Sequence, residues 1–129
     1  MSDFPTARAA AAPDAIAPDG SEVRLLTQLQ GGSFAHFTLP PGKISRAVVH
    51  AHVEEIWYFL TGGGVLWRNA GDQEFLQAIR AGDCVAIPAG TKFQFRADWD
   101  TPLEFVAITM PPWPGAEEAT AVEGMWPQE

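Results

Sequence analysis

Residues 46–64 read Arg46-Ala-Val-Val-His50-Ala-His52-Val-Glu54-Glu55-Ile-Trp57-Tyr-Phe59-Leu-Thr-Gly62-Gly-Gly64. Two runs rich in β-branched and aromatic residues meet at Val53-Glu54, and a glycine triplet closes the second. That composition favours strands over helices, and the glycines stop the second run before any helical period can establish itself. Outward from this stretch the same unit recurs at 22–29, 33–39, 64–69, 73–79, 84–87, 91–97 and 103–109. Between the runs stand Gly31-Gly32, Pro40-Pro41-Gly42, Gly71-Asp72, Gly82-Asp83 and Pro88-Ala89-Gly90. Closely spaced strands with glycine or proline turns predict an all-β antiparallel sandwich or barrel, because helical crossovers have no room.

Residues two apart on a strand share a face, so the spacing places His50 and His52 side by side. A two-residue loop at Val53-Glu54 would make His52 and Glu55 a cross-strand pair and set His50 opposite Trp57. Two imidazoles and a carboxylate form a set that suits non-haem Fe(II) and also accepts Zn, Mn, Co or Ni. Were the strand to run straight through Val53, Glu54 would take the place of Glu55 as the carboxylate ligand. Trp57, Phe59, Phe93 and Phe95 fall in phase with the inward face, which predicts an aromatic-walled substrate pocket around the metal. The same rings suit an ordinary barrel core.

The 129 residues suffice for one core. Hydrophobic residues make up 47% of the chain and charged residues 19%, so a sizeable core is within reach. A net charge of −8 disfavours nucleic acid and anionic membranes as partners. A single cysteine, Cys84, excludes an internal disulfide and fits a cytoplasmic protein, and its place in a strand predicts a small buried residue. Residues 1–20, rich in Ala, Pro and Asp, read as a flexible or exchanged arm, 21–110 as the barrel, and 111–129 as a Pro/Trp-rich strap unable to extend a sheet. The strap could pack on the exterior or lie over one mouth. The run from Ile56 to Leu60 is apolar on both faces, which predicts cover by the arm or by a second subunit, hence a homodimer.

His50-Ala-His52 followed by Glu55, with Gly62 closing the strand, resembles the first motif of the cupin superfamily, and Gly82-Asp-Cys84-Val-Ala-Ile-Pro88-Ala-Gly90-Thr-Lys-Phe93 resembles the second. The resemblance spans about 22–110. It implies a jelly-roll (double-stranded β-helix) barrel with an interior site, and its phase favours Glu55 over Glu54 as the carboxylate ligand. It also implies a divalent metal held by His50, His52 and Glu55, and dioxygenase, isomerase or lyase activity on a small molecule. The chain departs from the pattern where the second motif normally supplies a fourth ligand, a histidine, since Phe93 stands there. That departure supports an alternative, a non-catalytic small-molecule-binding cupin whose metal is weak or absent.

Overall fold

Alternating burial along the strands builds two facing sheets. In the computed structural model, which describes residues 4–127, β1 (Ala15–Ile16), β2 (Glu22–Leu29), β3 (Gly32–Leu39), β4 (Val48–His50), β5 (Glu54–Thr61) and β6 (Gly63–Ala70) come first. They are followed by β7 (Gln73–Arg80), β8 (Cys84–Ile87), β9 (Lys92–Ala97), β10 (Leu103–Met110), a 3-10 turn (Ala116–Glu118) and β11 (Ala119–Ala121). One sheet has the order β1-β2-β3-β10-β5-β8 and the other β11-β4-β9-β6-β7. Every pairing is antiparallel. The sheets pack as the expected jelly roll, with apolar inner faces filling the space between them.

On β5, Glu55, Trp57 and Phe59 turn inward while Glu54, Ile56, Tyr58 and Leu60 turn outward. Phe59, Leu66, Phe95, Leu103 and Phe105 are completely inaccessible, and burying each such side chain contributes about 1.5–3 kcal/mol. Trp57 sits at the centre, meeting Phe59, Phe93 and Phe95 edge-on and stacking on Phe105 at 4.3 Å. At Gly64 a Cβ would lie 2.0 Å from the Arg96 carbonyl oxygen. Only glycine lets β6 approach β9 so closely.

The predicted hairpin between β4 and β5 is not formed. The two strands belong to different sheets: β4 pairs with β9 and β11, and β5 with β10 and β8. Residues 51–53 cross from one sheet to the other, so His52 does not pair with Glu55, and Trp57 lies opposite Ala107 and Val85 instead of His50. The tail does extend a sheet, because its prolines leave 115–126 free to pair and Ala119–Ala121 lies antiparallel to β4. In the arm, Ala15–Ile16 pairs with β2, and Arg24 holds the carbonyls of Ala10 and Ala11. Cys84 is exposed where a buried residue was predicted, because it falls on the outward phase of β8, opposite Tyr58. Ile56, Tyr58 and Leu60 are 40–48% exposed in the single chain. No helix among the described residues is long and apolar enough to cross a membrane.

Candidate functional site

A cavity of about 480 Å³ opens between the sheets. Its floor is a ladder of rings from three adjacent strands. Phe37 of β3 stacks on Phe105 of β10 at 5.1 Å, and Phe105 stacks in turn on Trp57 of β5. Strand register aligns them, since Phe105 lies directly opposite Phe37. The arm forms one wall through Ala15 to Asp19. The segment after β10 brings in Trp113, whose amide donates to Ser33 Oγ at 3.0 Å and whose ring meets the His50 imidazole at 5.0 Å.

The ionisable side chains that line this mostly apolar space are His50, Glu55 and Asp19. His50 Nδ1 lies 3.0 Å from Glu55 Oε2, and both side chains are more than nine-tenths buried. The approach is off the ring N–H axis, so Nδ1 is a close neighbour of Glu55 without an aligned hydrogen-bond partner. Trp57 Nε1 donates to the other carboxylate oxygen, Oε1, at 2.7 Å and fixes the Glu55 rotamer. Asp19, also buried, accepts from the amide of Ser21 at 2.9 Å and from its hydroxyl at 2.6 Å. Burial pushes the Asp19 carboxyl above its usual range; the Ser21 hydrogen bonds oppose this, the Glu55 charge adds to it, and His50 opposes it.

His52 stands outside the cluster. Its side chain is 81% exposed and its Nδ1 lies 3.1 Å from Glu118 Oε1. Oε2 of the same carboxylate accepts from the backbone amides of His52 and Val53. Burial alone would raise the Glu118 pKa. The two amides and the His52 ring outweigh it and hold the carboxyl down to about 2. Glu54, the competing ligand, points to solvent. Of the four rings predicted to line the pocket, Trp57 does so. Phe59, Phe93 and Phe95 are core residues at 0–1% exposure, walled off behind Trp57.

The family model described as "Cupin domain" matches residues 35–109. The chain is a cupin. Over 75 residues this cupin is 35% identical to an "Oxalate-binding protein" of Thermotoga maritima, covering 58% of this chain and 59% of that protein. The cupin therefore spans less than two thirds of that relative's length. Among solved structures, the nucleoside dehydratase Pac13, a Streptomyces protein also solved with uridine, superimposes with a TM-score of 0.68 at 13% identity, covering 94% of this chain and 92% of that one. The capsular polysaccharide assembling protein CapF from Staphylococcus aureus gives 0.70 at 15% identity over 81% of this cupin and 32% of CapF. At such identities the structural likeness concerns the fold.

The divalent metal implied by the cupin motif does not fit the side chains of this chain. His52 faces outward and is engaged by Glu118, while the fourth position is Phe93, 1% exposed and edge-on to His50. Among the described residues no group of three or more His, Cys, Asp or Glu side chains could hold a metal ion. The set His50, His52 and Glu55 thus reduces to the pair His50 and Glu55. The reason is the crossover at 51–53: His50 ends β4 inside the barrel, and the chain then turns to deliver Glu55 from the other sheet. Sequence reasoning missed Asp19, Phe37, Phe105 and Trp113 as cavity residues. Phe105 and Phe37 carried a readable inward strand phase, and Trp113 stood out in the tail. Asp19 looked like an ordinary turn residue before Gly20, with no signal of burial.

Proposed function

We propose that this cupin binds a small organic molecule in the aromatic cavity, engages it through His50 and Glu55, and does so without a resident metal. The observation that carries this reading is the buried His50–Glu55 pair, placed with Asp19 in a mostly apolar cavity while His52 is committed to the surface. A polar pair in such surroundings is costly unless something completes its hydrogen bonding, and a ligand can supply that partner. Trp57 holds Glu55, Glu55 faces His50 Nδ1, and the imidazole stands ready to hydrogen-bond a ligand or exchange a proton with it. The oxalate named for the Thermotoga relative supports small-molecule binding as the role. The dioxygenase, isomerase and lyase chemistries of metal-bearing cupins ask for a third protein ligand that the cluster lacks. The exposed strip of Ile56, Tyr58 and Leu60 supports a homodimer, which light scattering tests.

The test is a fragment screen on chelator-treated protein, read by thermal shift and by tryptophan fluorescence, with Trp57 and Trp113 as reporters. Hits are expected whose stabilisation disappears in His50→Ala. A metal that co-purifies in stoichiometric amount and is lost in both His50→Ala and His52→Ala would overturn the metal-free reading.

A further inference from the structure

Resting on the binding role proposed above, we infer that the cavity selects a small flat organic cation, an amine or amidine. Its N–H groups would be accepted by Asp19 and Glu55 while its body lies against the aromatic ladder and Trp113. Two carboxylates line the cavity, and no lysine or arginine does. Apart from the His50 ring and the Gln28 carboxamide, the side-chain donors that could satisfy an anion are engaged. The Ser21 hydroxyl and amide serve Asp19, and Trp57 Nε1 serves Glu55. The Ser33 and Thr109 hydroxyls bond to each other. The lining therefore carries two carboxylates and no fixed positive charge.

A second, independent observation points to a missing ligand. His50, 6% exposed, keeps its Nδ1 without an aligned partner at the head of the same cavity. Carboxylates buried together repel, and a cation between them relieves both their repulsion and their desolvation. The half-buried ring of Trp113 on the cavity wall adds cation–π attraction. By the same reasoning a dicarboxylate such as oxalate is excluded, so this chain differs in ligand class from its oxalate-binding relative.

Shape-matched probes test this by calorimetry on the full chain after chelator treatment: benzylamine and benzamidine as cations, benzyl alcohol as the neutral form, benzoate and oxalate as anions. The cations are expected to bind at least about tenfold more tightly than benzyl alcohol, and the anions not at all. Asp19→Asn and Glu55→Gln should each weaken the cations about tenfold. If Glu55→Gln fails to fold, having lost its bond from Trp57, Asp19→Asn decides alone. Benzoate, oxalate or benzyl alcohol binding as tightly as benzylamine, in a manner abolished by His50→Ala, would overturn the cation selectivity and leave the cavity's binding role standing. Zinc or cobalt binding that displaces benzylamine would also overturn it, by making the cation a metal. Silence from every probe would overturn both readings.

Discussion

Removing the Glu118 carboxylate should destabilise the protein out of proportion to its place in a proline-rich tail. Its Oε2 accepts from the amides of His52 and Val53, and Oε1 faces His52 Nδ1 at 3.1 Å. A hydrogen bond to a charged group is worth about 1.5–3 kcal/mol. Val53 is 1% exposed, so its orphaned amide would find no water, and the exposed His52 ring adds little. Glu118→Ala is therefore expected to cost about 3 kcal/mol, lowering Tm by about 10 °C. Glu118→Gln keeps an acceptor oxygen and loses only the charge, which weakens both amide bonds at about 2 kcal/mol in all. The pH dependence separates the two effects. Because the folded carboxyl is held down to about 2 from an ordinary 4.5, its stabilisation is complete above 4.5 and disappears as pH falls through about 2. The gap between wild type and Glu118→Gln should close over that window. Urea unfolding followed by tryptophan fluorescence at neutral pH, at pH 4 and near pH 2 measures it. A Glu118→Ala midpoint equal to wild type, or a Glu118→Gln gap that persists at the lowest pH, would refute the argument that this carboxylate clamps the 51–53 crossover.

Protein purified without chelators or a metal-affinity step should carry far less than one equivalent of Fe, Mn, Ni, Co or Zn by elemental analysis, and His52→Ala should leave that content unchanged. A full equivalent lost in His52→Ala would mean that this histidine swings inward. Trp57→Phe keeps the ring stack on Phe105 but removes the 2.7 Å donor to Glu55; a loss of about 2–3 kcal/mol is expected in urea unfolding. Gln94, 1% exposed, binds Ser45 O and Trp126 O through Nε2 and accepts from the Trp126 amide. Gln94→Leu should cost about 2 kcal/mol and speed limited proteolysis beyond Val122. Unchanged cleavage would show that the tail is held by other contacts.

Much of the architecture was written locally. Glycine and proline turns bound each strand, so 22–29 and 84–87 read from the sequence with the bounds they have in the fold. The inward phase of Glu55, Trp57 and Phe59 likewise follows from strand geometry alone. Two short strands, Ala15–Ile16 and Ala119–Ala121, escaped this reading because so few residues carry no period, and their pairing depends on where the body of the sheet already stands.

The site was legible only in part, and the gap lies at 51–53. Hairpin rules treat His52 and Glu55 as neighbours, whereas here a carboxylate 66 residues away in sequence from His52 captures two backbone amides and carries the chain from one sheet to the other. Strand propensity, inward phase and the identity of His50 and Glu55 as the buried polar pair were properties of short stretches of sequence. Which sheet each strand joins, the outward turn of His52 and the arrival of Asp19 from the arm depend on distant contacts. Only the closed barrel brings those together, because sequence spacing constrains side-chain direction over a few residues and hydrogen bonding across the fold decides the rest.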